Sequence, residues 1–237
     1  WDKAKNQLLS LQNTNPDSIE SKRSQFLLGL IQLQNGKFYK AVDLFTPLLK
    51  NYPEVEDYTL FNLAKAESLN KRPEQAQKHL LKLLKLFPDT QLYSESRLIL
   101  ADTYIHTHSD GKALEVMKKS LETINSSFNH RRFRTFLPDH LFKLATHQEK
   151  MGDLKEAYLN YRKLHIKYPN HERTLDAETA IKKLLKSPSL KKIPLSLREH
   201  TERIKNLFKA VRFKEIINEV KSIKKNNSPM PGRFYIF

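Results

Sequence analysis

The sequence predicts an all-α fold, a solenoid of stacked helical hairpins. Two segments share the spacing of their small, aromatic and proline residues. These residues are Gly36, Phe38, Ala41, Phe45, Leu48 and Pro53 in one segment and Gly152, Leu154, Ala157, Tyr161, Leu164 and Pro169 in the other. A looser copy between them contains Ala76, Leu80, Leu83 and Pro88. With only 5 glycines in 237 residues, a strand-rich fold with many tight turns is disfavoured.

Four hairpins follow from the apolar stripes and the residues that interrupt them. The first helix of each hairpin carries apolar residues at helical spacing, and a turn then reverses the chain. We place these turns at 35–36, 70–72, 108–111 and 151–153. A further helix over 174–185 covers the open side of the fourth hairpin.

Small residues are expected where the two helices of a hairpin cross, because a larger side chain would push the helices apart. Each hairpin has one such residue on each helix. The pairs are Gly29 with Ala41, Ala64 with Ala76, Ala101 with Ala113, and Ala145 with Ala157. Pro53, Pro88 and Pro169 close three of the hairpins, because proline cannot continue a helix.

The predicted organisation has four parts. Residues 1–186 form the repeats, with an irregular joint near 125–138, where the spacing from Ala113 to Ala157 grows to 44 residues. Residues 187–195 contain two prolines and no period, which predicts a linker. A C-terminal hairpin over 196–227 follows, with Ser196 as a candidate helix cap. Residues 228–237 form a tail, either mobile or cut from a longer protein.

The alternation of small and large residues, with Gly36 and Gly152 at turns and prolines at hairpin ends, resembles the tetratricopeptide repeat over residues 22–185. The resemblance is weakest in the third hairpin, where Asn125 replaces the closing proline. It implies a helical-hairpin superhelix, an α-solenoid. In such arrays the first helix of each hairpin lines a concave groove that binds extended peptides.

A narrower resemblance links the segments 51–53, 167–169, 195–203 and 212–216 to the helical region of soluble lytic murein transglycosylases. It implies a curved arm in the periplasm, with peptidoglycan or another anionic cell-wall polymer as partner. The catalytic glutamate of that family lies in a separate lysozyme-like domain, and no counterpart of that domain follows Lys225. The chain alone is therefore predicted to be non-catalytic. A cytoplasmic location is the alternative.

Charge and composition leave the partner open. Lys and Arg outnumber Asp and Glu by 42 to 26, giving a formal charge of +16. The surplus fits an anionic partner or solvated lysine-rich helix faces. The absence of cysteine excludes disulfides and thiolate chemistry. No apolar run is long enough to predict a transmembrane segment.

The sequence offers no catalytic, cofactor-binding or metal-binding residue. It has no phosphate loop, dinucleotide fingerprint or His-Glu-x-x-His helix. His106, His108 and Asp110 lie close together at a predicted turn. Because no fourth ligand or organised second shell is evident, we interpret them as exposed polar residues.

Two sets of residues are candidates for binding. Along the groove they are Gln25, Gln32, Asn62, Glu67, Arg97, Tyr104 and Gln148. In the irregular joint they are Arg131, Arg132 and Arg134, which flank Phe133 and suit a phosphate or carboxylate. Three functions follow: the transglycosylase arm first, then a free-standing adaptor for an extended peptide or acidic protein, and least favoured an RNA-binding repeat.

Overall fold

The computed structural model describes residues 2–126 and 135–225, and these residues form helices joined by turns, with no strand among them. The prediction of an all-α helical-repeat solenoid is confirmed. The helices are α1 (Asp2–Thr14), α2 (Ile19–Gln34), α3 (Phe38–Phe45), α4 (Leu48–Asn51), α5 (Glu56–Leu69), α6 (Pro73–Leu86), α7 (Tyr93–His106), α8 (Asp110–Ser126), α9 (Leu137–Lys150), α10 (Leu154–Lys167), α11 (Arg173–Leu184), α12 (Leu197–Lys209) and α13 (Phe213–Lys225). A 3-10 turn, Pro53–Val55, precedes α5.

Five hairpin turns share one backbone geometry. Each contains a residue with left-handed φ: Gly36 (71°), Lys71 (58°), His108 (53°), Gly152 (81°) and Val211 (58°). In each turn the N–H of the next residue donates to the carbonyl five positions earlier, as in Lys37 to Gln32 and Arg212 to Leu207. This is the Schellman arrangement that ends a helix. In the third turn, predicted at 108–111, the left-handed residue is His108, and Gly111 lies within α8.

The small residues of the four predicted pairs are all buried. In the first four hairpins one lies seven residues before the left-handed residue and the other five residues after it. Gly29 is buried, and the seven alanines have no exposed surface. At Gly29 a Cβ atom would lie 2.6 Å from Cε1 of Phe45. The side chain of Phe45 therefore fits on α3 only because residue 29 is glycine.

The chain divides into two compact units, residues 1–136 and 137–237. In the first unit α1 packs against α2, and the Ser24 hydroxyl donates to the Leu8 carbonyl (2.5 Å). The second helix of one hairpin packs against the first helix of the next, as α3 does with α5 and α6 with α7. The predicted joint at 125–138 is described only at its margins, because residues 127–134 lie outside the described residues.

In the second unit α10 is the central helix, in contact with α9, α11 and α12. Residues 190–196, between α11 and α12, have no helix. Ser196 caps α12 as predicted, and Glu199 completes a capping box with it. The α12–α13 hairpin repeats the frame of the earlier hairpins, but Ile204 and Ile216 replace the small residues.

Candidate functional site

Two of the predicted groove residues make hydrogen bonds within their own hairpins. Gln148 accepts a hydrogen bond from Nδ2 of Asn160 at 2.8 Å, and Glu67 pairs with Nδ1 of His79 at 2.7 Å. Gln32 is buried on α2. Both hydrogen bonds run from the first helix to the second, so these side chains hold the hairpin together.

The other predicted groove residues are also engaged. The Gln25 amide donates to the Leu44 carbonyl at 2.7 Å. Further contacts are Asn62 Nδ2 with the Tyr58 carbonyl at 2.8 Å, the Arg97 guanidinium over the Tyr93 ring at 4.7 Å, and Lys112 over the Tyr104 ring at 5.8 Å. Arg131, Arg132 and Arg134 lie outside the described residues. A binding role for either set stays a prediction.

The first helices of unit one present a continuous face, because α5 contacts both α2 and α7. Tyr58 and Leu69 on α5 are 42% and 49% exposed. Between them on the same face, Lys65 donates to Oε1 of Glu95 on α7 at 3.1 Å. We call this the first-helix face. Exposed aromatic, aliphatic and charged groups on one face provide both the apolar and the polar contacts that recognition requires.

Unit two contains a cleft of about 470 Å³ that the sequence analysis missed. Its walls come from α10, α11, residues 192–195, α12 and α13. We call it the α10–α13 cleft. It forms because α11 and α12 both pack against α10 while residues 185–196 bridge them.

Arg162 on α10 holds the bridging segment, residues 185–196, against α10 by hydrogen bonds. Its side chain is 8% exposed. Nη1 donates to the Ile193 carbonyl at 2.6 Å, and Nη2 donates to the Pro194 carbonyl at 2.9 Å and to Glu199 at 2.7 Å. The Tyr158 hydroxyl also bonds to the backbone of Ile193. These bonds compensate for burying a guanidinium, which would otherwise be unfavourable.

Arg203 is a charged residue at a position that the repeat reserves for leucine. In the first four hairpins the residue before the crossing is Leu28, Leu63, Leu100 or Leu144, and all four are buried. Arg203 is also buried, and it donates to the His165 carbonyl and, at 3.2 Å, to Glu219. This exception to the frame is the sequence signal that could have revealed the cleft.

Two histidine–carboxylate pairs line the cleft on either side of Arg203. His165 Nδ1 lies 2.8 Å from Glu178, and His200 Nδ1 lies 2.5 Å from Glu219. Burial and the Arg203 guanidinium lower the pKa of His165 below 6.5, against the opposing charge of Glu178. For Glu199, burial opposes ionisation, but hydrogen bonds from Ser196 and Arg162 prevail and hold its pKa below 4.5.

Neither a metal site nor a membrane span is evident in the parts of the chain that the structure describes. Across residues 2–126 and 135–225, no cluster of three or more His, Cys, Asp or Glu side chains is arranged to hold a metal ion. None of the described helices is both long and apolar enough to cross a membrane.

The fold places this protein in the class of all-α helical-repeat solenoids. The tetratricopeptide repeat family profile then matches residues 23–54, 58–90 and 141–171. These three segments therefore match the tetratricopeptide repeat, and the predicted resemblance is confirmed over them. The matched segments end one or two residues after Pro53, Pro88 and Pro169, the predicted closing prolines.

Similar solved structures include the MamA protein (17% identity, TM-score 0.55), with 90% of this chain and 98% of that chain covered. A tetratricopeptide repeat protein from Thermus thermophilus, TTC0263, has 20% identity, a TM-score of 0.53 and coverage of 78% and 91%. A structure of Naa15/Naa10 bound to HypK-THB has 19% identity and a TM-score of 0.55, with 96% of this chain and 30% of that chain covered. At these identities the likeness shows the fold. No curated protein matches the chain.

Proposed function

We propose that this protein is a non-catalytic adaptor that binds an extended segment of a partner protein along the first-helix face. The main support for this proposal is that Tyr58 and Leu69 are exposed on the same face as the Lys65–Glu95 ion pair, which joins adjacent first helices. An extended peptide crossing α2, α5 and α7 would meet apolar and charged groups from each repeat in turn.

Two further observations support the adaptor. The tetratricopeptide repeats are a scaffold whose neighbouring first helices form an extended surface. The similar Naa15/Naa10 structure was solved bound to HypK-THB, an assembly that uses a fold of this kind. The formal charge of +16 favours a partner with acidic segments, because complementary charge speeds association and favours the correct partner.

The adaptor has better support than the transglycosylase arm. The family profile and the similar structures support the repeats and give no support to a link with murein transglycosylases. A cell-wall polymer as partner and a periplasmic location depend on that resemblance alone, so both stay predictions.

The experiment compares two double variants of matched composition. A phage-displayed library of random peptides is selected on the full chain, and affinities of the recovered peptides are measured by fluorescence anisotropy. Tyr58→Ala with Leu69→Ala removes the exposed apolar groups of the first-helix face. We expect affinity to fall by roughly tenfold or more, because aromatic and apolar anchors contribute most of the binding energy.

The control removes the same residue types from second helices. Tyr39 on α3 and Leu81 on α6 are 55% and 49% exposed, close to the exposure of Tyr58 and Leu69. Tyr39→Ala with Leu81→Ala should leave affinity within about twofold. Equal losses in the two double variants, or selection that recovers no peptide, would contradict the proposal.

A further inference from the structure

We propose that the α10–α13 cleft binds a small organic anion, either a carboxylate or a phosphate ester, that carries an apolar body. At about 470 Å³ the cleft has the size of a small-molecule site. The site lies wholly within residues 137–237 and is independent of the peptide-binding proposal, because it uses no residue of the first-helix face.

The charge balance of the cleft favours an anion. In and around it, four cationic side chains (Arg162, Lys182, Lys192, Arg203) accompany three carboxylates (Glu178, Glu199, Glu219). Each carboxylate already has basic partners: His165 and Arg203 for Glu178, Arg162 for Glu199, and His200 and Arg203 for Glu219. A cationic ligand would have to displace one of these partners.

Three basic residues of the cleft have N–H donors without an acceptor among the described residues. Nε of Arg162 is buried and has no hydrogen-bond acceptor among the described residues. Lys182 and Lys192 are exposed lining residues, and neither forms an ion pair with another described residue. The Arg162 guanidinium adds its positive charge to that of Lys182 and Lys192, and carboxylate or phosphate oxygens are the acceptors that suit the N–H donors of the two exposed lysines.

The walls of the cleft indicate that the ligand is more than a bare anion. Tyr158, Ile181, Pro194 and Leu195 line it together with the charged groups. An apolar part of the ligand would bury surface against these side chains. Small-molecule sites typically combine such walls with a few polar groups that fix orientation.

The test uses benzoate and phenyl phosphate as probes, with benzyl alcohol as the neutral analogue and benzylammonium as the cationic one. Each is titrated into the isotope-labelled full chain, and amide chemical shifts are followed by NMR. We expect saturable shifts around the cleft with one or both anions and with neither of the other probes. Comparing the two anions shows which head group the cleft prefers.

Two lysine variants of equal charge change make the test specific. Lys182→Gln with Lys192→Gln should weaken anion binding roughly tenfold, because the variant removes the two exposed cationic donors that line the cleft. The control, Lys186→Gln with Lys191→Gln, alters exposed lysines of the same region that do not line the cleft, and should change affinity by less than about twofold. Equal losses in the two variants, binding of benzyl alcohol as tight as benzoate, or no saturable anion shifts would overturn the proposal.

Discussion

At the residue scale, one left-handed residue decides how each hairpin turns. Glycine takes this position at Gly36 and Gly152, whereas Lys71, His108 and Val211 adopt the same φ with a Cβ atom. Left-handed φ is unfavourable for residues with a side chain, and most so for a β-branched one such as Val211. Hydrogen bonds of the Schellman type hold the turns in place at all five positions.

Two glycines allow the backbone effect to be separated from packing. A Cβ atom at Gly36 or at Gly111 would meet nothing within 4 Å, but only Gly36 has positive φ. We expect Gly36→Ala to destabilise the protein by about 1 kcal/mol, because alanine disfavours left-handed φ. Gly111→Ala lies in the first turn of α8 and should instead stabilise by roughly 0.5–1 kcal/mol.

Urea unfolding followed by circular dichroism measures both changes in the full chain. Opposite signs for the two substitutions are the expected result. A Gly36→Ala variant as stable as the unmodified chain would show that the turn does not impose the left-handed conformation.

At the element scale, the α12–α13 hairpin adapts the repeat frame to polar contacts. Its first helix places Arg203 where the other hairpins have leucine. Asn206 of the same helix donates to the Ile166 carbonyl at 3.2 Å, and Arg212 donates to the Pro169 carbonyl. Hydrogen bonds to the end of α10 therefore help to hold this hairpin in place, whereas apolar packing has that role between the earlier hairpins.

The start of α12 is expected to be sensitive to acid. The pKa of Glu199 is depressed in the folded state, so its contribution to stability is present above about pH 4.5 and is lost as pH falls through the folded pKa. Glu199→Gln should therefore lower the melting temperature at pH 7, and the difference from the unmodified chain should shrink below pH 4.5. Melting curves measured between pH 7 and pH 3 check this, and a constant difference would contradict it.

At the scale of the whole molecule, each of the two compact units has its own buried core. In residues 1–136 the fully buried side chains include Phe45, Leu80 and Leu100. In residues 137–237 they include Tyr161, Leu164 and Leu207. Repeat arrays gain stability from contacts between neighbouring helices, so a break between units leaves most of those contacts intact.

We expect fragments 1–136 and 137–237 each to fold alone. Each should show a helical circular dichroism spectrum and a sigmoidal thermal transition, because most buried apolar surface is retained. Calorimetry of the two fragments provides the measurement. A fragment that melts without a cooperative transition would show that its core depends on the other unit.

The sequence by itself determined the hairpins, their turns and the small residues that are buried. Small residues such as Ala41 and Ala157 recur at fixed distances from the turns, and this pattern arises from packing between helices adjacent in the chain. The local nature of these contacts made them predictable. The joint residues Arg131, Arg132 and Arg134 and the linker 187–195 stay predictions.

Only the tertiary structure decided the α10–α13 cleft. Arg162, Glu178, Arg203 and Glu219 lie on four different helices, and no local period brings them together. They meet because α11 and α12 both pack against α10, an arrangement that depends on long-range contacts rather than on neighbouring residues. In the sequence, the cleft was signalled by Arg203, which occupies a position where the first four hairpins have leucine. The partners of Arg203 followed only from the packing of the helices.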